Sequence, residues 1–302
     1  MSEYSSITPI SEVSPIASTS RGIEGAIALW VHGKSAHTQR YYQKEVRSFL
    51  VWVDKSPEFI TLADVQAWAT VLANSKLAIA SQARAISAIK SFFTFIHQQL
   101  GIVRVNPSGA VSTPKFKNAL AERILPETTV QLMISLETNV RDKALLKLLY
   151  IGGLRVSEVS SLTWRSLQAR EDGGQVLVYG KGSKTRVVKL PVSLWKQLQL
   201  LRNDDGLDEP IFTSRKEKGH LSPVQIGRIV KKAALRVPGI EKEVAERISP
   251  HWLRHAHASH AIERGAPIHL VQATLGHESV ATTGQYLHAR PNDSSARYLS
   301  ID

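Results

Sequence analysis

The sequence predicts a mainly α-helical chain in two domains, the second carrying one small antiparallel β element. Three observations lead there. Apolar residues recur at helical spacing on both sides of a Pro- and Gly-bearing stretch near residues 106–121, and strand-like alternation is confined to residues 175–190. With 302 residues the chain is also long enough for two cores.

Taken in order, residues 1–20 are Ser- and Pro-rich with no apolar run, and read as a disordered tail without a secretory signal. Residues 21–103 read as all helical. One helix runs through Thr38–Val53, with Tyr42, Val46, Phe49 and Leu50 at helical spacing. A second starts at Thr61, where Asp64 completes a capping-box pattern, and turns Val65, Trp68 and Leu72 inward. A third, from about Ser81, buries Ile86, Ile89, Phe93 and Ile96 and leaves Arg84 and Lys90 off that stripe. The aromatics of these helices read as core residues, not as base-stacking groups. Residues 104–118, with Pro107, Gly109 and Pro114, form a linker.

The second domain, 119–302, opens with helices. Ala144, Leu145, Leu148 and Leu149 make an apolar stripe that stops at Gly152-Gly153. Those glycines allow a sharp turn that presents Arg155 at the start of the next helix, with Glu158 three residues on as a brace for it or for the nearby histidine. Gln175–Tyr179 and Thr185–Leu190 alternate around Gly180–Lys184, a β-hairpin with Lys181 at its turn and Lys184 and Arg186 beside it. Ser249-Pro250 is an N-cap followed by proline at N1, so His251 and Arg254 share one helix face. Pro267–Leu275 is a short helix ended by Gly276. His277 follows, and Tyr286 lies on the segment Ser279–Arg290. Gly284 inside that segment costs about 1 kcal/mol against alanine and loosens it.

Composition narrows the partners. A formal charge of +12 and a pI near 9.9 suit a polyanion. No 18-residue apolar run suggests a membrane partner, and the lack of cysteine excludes disulfides, zinc–thiolate sites and cysteine nucleophiles. The expected compartment is the cytoplasm, in association with the nucleoid. Two other site chemistries fail on spacing. Lys181 is followed by Gly182 where an ATP-binding loop needs Ser or Thr. His251 and His255 have zinc-protease spacing, with His257 and His260 close behind, but Trp252 stands where such a helix needs glutamate. His255 therefore reads as a residue that packs and hydrogen-bonds in the core, and no metal or other cofactor is expected.

What remains is a set suited to one phosphodiester. Two guanidiniums match the non-bridging oxygens and keep their charge, a tyrosine hydroxyl can form a covalent bond, and histidine or lysine can move protons. Arg155, Lys181, His251, Arg254, His277 and Tyr286, in this order, resemble the tyrosine recombinase (phage integrase) family, whose pattern is Arg, Lys, His-x-x-Arg, His or Trp, then Tyr. The resemblance covers most of the chain after about residue 30 and its size is most like Xer-type members. Thr38–Phe49 is similar to the first helix of the family's SAM-like core-binding domain, and Ser81–Ile96 with Asn106-Pro107 to its last helix and exit. His257 departs from the family's usual phenylalanine.

The resemblance implies site-specific recombination of double-stranded DNA through a 3′-phosphotyrosine, by a homotetramer on synapsed sites, alone or with a paralogous recombinase. It implies DNA contacts by Arg84, Lys90, Lys184 and Arg186, with Lys181 protonating the departing 5′-oxygen. Two other readings compete: a type IB topoisomerase, which relaxes supercoils as a monomer, and a non-catalytic DNA-binding protein of the same fold. The helical first domain argues against the former and the six intact residues against the latter.

Overall fold

The computed structural model describes residues 20–115, 120–179, 185–203, 206–214 and 219–289. The tail expected at 1–20 lies outside these residues except for Ser20, which opens a helix. The chain forms two compact units, Met1–Lys117 and Asn118–Asp302.

The first unit contains α1 (Ser20–Val31), α2 (Ala36–Val53), α3 (Leu62–Ala73) and α4 (Ile79–Gln98). α1 was not legible as a separate element, yet Ala26, Ile27, Trp30 and Val31 bury one face of it. Ser35 caps α2 by accepting from the Thr38 amide, and Thr61 and Asp64 make the reciprocal capping box at α3. Val46, Phe49, Val65, Trp68, Leu72, Ile86, Ile89, Phe93 and Ile96 are all buried together, so the aromatics are core. The stretch after α4 belongs to this core in part. Val103 and Val111 are buried in it, and the Lys90 ammonium donates to the Val111 carbonyl at 2.5 Å. The first part of the expected linker is thus packed chain.

The second unit comprises α5 (Glu127–Ser135), α6 (Val140–Ile151), α7 (Val156–Ser160), β1 (Leu167–Arg170), β2 (Gly173–Tyr179), β3 (Thr185–Leu190), α8 (Val192–Gln199), α9 (Pro223–Leu235), α10 (Lys242–Arg247), α11 (Pro250–Glu263), α12 (Ile268–Leu275) and α13 (Val280–Ala289). The strands form one antiparallel sheet in the order β1-β2-β3, with Val176 opposite both Leu167 and Val188. The hairpin matches the alternation in the sequence; β1 is an addition to it.

Ala144, Leu145, Leu148 and Leu149 of α6, Val176 and Val178 of β2, and Leu253 and Ala256 of α11 share the main core. A smaller cluster joins Leu120 and Ile124 to Ala258 of α11, Val271 and Leu275 of α12, and Tyr286 of α13. α6 stops at Gly152, and Gly153 then takes φ +59°. A Cβ there would lie 2.8 Å from the His257 ring and 2.9 Å from Leu275. Both the left-handed backbone and the close approach therefore require glycine, and the turn delivers Arg155 as the N-cap residue of α7.

Candidate active site

The site has an arginine half and a tyrosine half. In the first, the Arg155 amide donates to Glu158 Oε2 at 2.7 Å and its Nη1 to Oε1 at 2.9 Å. Its Nη2 reaches the Gly276 carbonyl at 3.1 Å. Glu158 is thus the brace that the sequence suggested. The family resemblance implies a DNA contact by Arg186, but in the structure its side chain turns inward. Arg186 donates through both Nη atoms to Glu158 at 2.8 Å and through Nε to the Thr274 carbonyl at 2.8 Å. A carboxylate buried on α7 needs positive partners, and Arg186 is the second of them. Burial alone would raise the Glu158 carboxyl; hydrogen bonds from Arg186 and the Arg155 amide outweigh it and hold the pKa at about 2.

Arg254 is buried at 4% exposure on α11. Its Nη1 donates to the Gly153 carbonyl and its Nη2 to the Leu275 carbonyl, each at 2.6 Å. One guanidinium thereby ties the end of α6 to the end of α12. Burial and then the Arg155 charge lower its pKa to about 10, so it stays protonated at neutral pH. Pro250 occupies the first turn of α11 as expected, whereas Ser249 holds the N-cap position without a side-chain cap bond. An open cavity of about 920 Å³ is lined by Arg155, Arg186, His277, Ser279 and Thr282 among others.

The tyrosine half begins where Gly276 ends α12 at φ +64°. His277 follows, and its Nδ1 pairs with Thr283 Oγ1 at 2.9 Å. Tyr286, 5% exposed, lays its ring parallel to the His277 ring, with centroids 6.4 Å apart and planes 6° apart. Its hydroxyl lies 2.7 Å from His255 Nδ1. The rings of His255 and Tyr286 are 5.8 Å apart, and His251, exposed on the same face of α11, is 6.5 Å from His255.

Electrostatics follow from this crowding. Burial, the His251 ring and the charges of Arg123 and Arg254 push His255 down to about 4. Burial and then Arg254, Arg155 and Arg186 do the same to His277. His251 is lowered for the same reasons, desolvation first and then Arg254 and Arg155. Burial raises the Tyr286 phenol, and Arg254 offsets part of that. The imidazoles are thus neutral at neutral pH and the phenol is protonated.

The structure therefore gathers His251, Arg254, His277 and Tyr286 with Arg155 in one corner of the second unit. Lys181 and Lys184 lie outside the described residues. Arg84 and Lys90 belong to the first unit, with the Arg84 guanidinium stacked 5.1 Å above the Tyr41 ring. His257 donates through Nδ1 to the Tyr150 carbonyl at 2.8 Å and packs on Gly153, so a hydrogen-bonded imidazole fills the place of the family's phenylalanine. His255, read from the sequence as packing and hydrogen-bonding in the core, makes its hydrogen bond to the Tyr286 hydroxyl, a partner the sequence did not name. The available signal was its spacing, four residues after His251 on the same helix face. Among the described residues no group of three His, Cys, Asp or Glu is placed to hold a metal, and no helix is long and apolar enough to cross a membrane.

Comparison with known proteins agrees with this geometry. The profile described as the phage integrase family matches residues 122–293, and that of the phage integrase N-terminal SAM-like domain matches residues 27–100. Tyrosine recombinase XerC of Thermodesulfovibrio yellowstonii is 33% identical over 270 residues, covering 85% of this chain and 87% of the relative. Tyrosine recombinase XerD of Vibrio vulnificus is 31% identical over 277 residues, covering 86% and 88%. Among solved structures, the Tn1549 transposon integrase in complex with circular intermediate DNA superposes with a TM-score of 0.68 at 18% identity, over 91% of this chain and 97% of that one. That match establishes the fold; the sequence relatives and the family profile establish the kinship. The chain belongs to the phage integrase family and is a tyrosine site-specific recombinase.

Proposed function

We propose that this protein cuts and rejoins double-stranded DNA through a 3′-phosphotyrosine on Tyr286. The observation that carries the reading is the pairing of two braced guanidiniums, Arg155 and Arg254, with a tyrosine on the helix beside them. Attack of Tyr286 Oη on phosphorus forms a phosphotyrosine and releases a 5′-hydroxyl, so the phosphodiester energy is conserved and the chemistry needs neither ATP nor a metal. Arg155, Arg254 and His277 hold the charge that grows on the non-bridging oxygens. Each such preorganised donor is worth about 3–4 kcal/mol by analogy with oxyanion sites. Lys181, at the hairpin turn, protonates the departing oxygen, and His251 is the histidine expected to assist proton acceptance.

The 5′-hydroxyl of a partner strand then attacks the phosphotyrosine. Exchange proceeds through a Holliday junction on a homotetramer, with or without a paralogous partner, in the cytoplasm and on the nucleoid. Integration, excision and dimer resolution share this chemistry. Exposed Arg84 on α4 is a further DNA contact, supported by the basic charge and by the DNA-bound state of the Tn1549 integrase. The test is a denaturing gel of full-length protein with DNA bearing the sequence it enriches from a random duplex pool. An adduct that forms in the wild type and is absent in Tyr286→Phe supports the reading. An adduct that survives Tyr286→Phe but not Tyr298→Phe, or cleavage stopped by chelators, overturns it.

A further inference from the structure

We infer that His255 is a catalytic residue of this recombinase, the group that takes the proton from the Tyr286 hydroxyl as the nucleophile attacks. The inference rests on the phosphotyrosine reading above and adds a group to it. Its basis is contact: His255 Nδ1 is 2.7 Å from Tyr286 Oη, hydrogen-bonding range for a heavy-atom pair, whereas His251 is exposed and its ring lies 6.5 Å from that of His255. A phenol is the stronger donor and an imidazole nitrogen the stronger acceptor, so Oη–H donates to Nδ1.

The fold brings this contact together from two helices, α11 and α13. α11 is fixed by Arg254, whose guanidinium is locked on the Gly153 and Leu275 carbonyls one residue before His255. α13 is anchored by Tyr286 in the small apolar cluster with Ala258 and Leu275, and by the parallel His277 ring. The phenol thus has one imidazole in hydrogen-bond contact with its oxygen and a second lying parallel to its ring.

The charged and titratable groups around His255 are His251 and Arg254 on its own helix, Arg123 in the 121–123 turn, His277 after α12, and Tyr286 itself. Burial first, and then His251 and the charges of Arg123 and Arg254, disfavour an imidazolium at His255, while burial keeps the phenol protonated against the pull of Arg254. A phosphodiester entering beside Arg155 and Arg254 brings one negative charge and relieves that opposition. The base becomes competent only when the substrate is present. In the step itself the Oη–P bond forms, the P–O5′ bond breaks, and the phenolic proton passes to Nδ1. The 5′-oxygen takes its proton from a separate acid, the role proposed for Lys181. Rejoining reverses the transfer and returns the proton from Nδ1 to Oη.

The experiment is single-turnover cleavage by full-length protein of a nicked duplex bearing the enriched sequence, from pH 6.5 to 8.5. DNA binding is measured in parallel on each variant. Wild type, with His255 neutral throughout, should vary by less than about threefold, while His255→Ala should be about 10²-fold slower at pH 6.5 and gain about tenfold per pH unit as solvent removes the phenolic proton. Added imidazole should restore part of the His255→Ala rate. A 5′-bridging phosphorothiolate, which needs no leaving-group proton, should rescue Lys181→Ala and leave His255→Ala slow. His255→Gln keeps a hydrogen-bonding side chain but cannot take the proton, so it should stay slow with normal DNA affinity. This variant and imidazole decide the matter if the alanine variant folds poorly. Wild-type rates and a flat pH profile in His255→Ala, or full activity in His255→Gln, overturn the inference. Survival of the adduct in Tyr286→Phe instead defeats the phosphotyrosine reading itself, a result that none of the His255 arms can mimic.

Discussion

The arginine half and the tyrosine half of the site are held by different kinds of force. Arg155, Arg186 and Glu158 form a charged knot in which each polar end meets a counterpart, and Arg254 closes on two main-chain carbonyls. Tyr286 is held by apolar burial, a stacked ring and one hydrogen bond, on a helix with Gly284 two residues before it. The difference teaches how the work is divided. Groups that stabilise developing charge gain most from being fixed in advance, since a preorganised dipole needs no reorganisation during reaction. A nucleophile that must bond to phosphorus and later release it is better held by contacts that can be broken and remade.

The sharpest break in that comparison is Tyr286→Phe. It should abolish the covalent adduct on a denaturing gel, leave DNA affinity unchanged, and cost about 1 kcal/mol of stability for one lost hydrogen bond. Arg254→Ala comes next, slowing adduct formation by about 10²–10³-fold in single-turnover assays. Because it leaves the Gly153 and Leu275 carbonyls without their donor, it should also lower the unfolding free energy measured with denaturant by roughly 1–3 kcal/mol. Arg155→Ala should slow the reaction as much while destabilising less, since its side chain is 38% exposed. Equal stability losses would mean that the two arginines are not held differently.

Glu158→Gln tests the knot through pH. The folded Glu158 pKa is depressed to about 2 from 4.5, so its stabilisation is fully present above about pH 4.5 and is lost as pH falls towards 2. Acid titration of the wild type should show a component on the order of 3 kcal/mol in that window, and Glu158→Gln should remove it. The buried histidines act earlier. His255 and His277, at about 4 in the folded chain, make stability fall as pH drops from about 6.5 towards 4 in both proteins.

The smaller effects lie on looser parts of the molecule. A Cβ at Gly284 meets open space, so Gly284→Ala should stabilise α13 by up to about 1 kcal/mol and change the cleavage rate. An unchanged rate with a stiffer helix would end the idea that this glycine serves the nucleophile's release. Arg84→Ala should weaken DNA binding without touching cleavage of bound DNA, and should lower the salt dependence of log affinity by about one phosphate contact.

Legibility differed between these regions for a physical reason. The three helices of the first unit that were read from sequence announce themselves by periodic apolar residues, and Thr61 with Asp64 marks a start within four residues of chain. α1 lacks an acidic first turn and follows a polar tail, so only its burial against the other helices defines it. β1 is four residues long with three of them exposed, too short for alternation to register; its pairing with β2 makes it a strand.

Arg186 sits on a charged hairpin and was legible only as one more surface cation, since nothing local says that Glu158, far away in sequence, will be buried beside it. His255 was ambiguous for the same reason. Its helix and its face were readable, whereas the identity of the group facing it depends on how α13 returns against α11.

By itself, then, the sequence determined which residue types are present, in what order, and on which helix, strand or turn most of them lie, because propensity, capping and periodicity are local. It determined the turn at Gly153, the helix face of His251 and Arg254, and the chemistry of Tyr286. Tertiary structure alone decided which charges are buried, that Arg186 joins Arg155 on Glu158, and which imidazole touches the phenol. Those depend on contacts between segments distant in the chain, where burial lowers the local dielectric and turns a side chain's neighbours into the determinant of its protonation and its role.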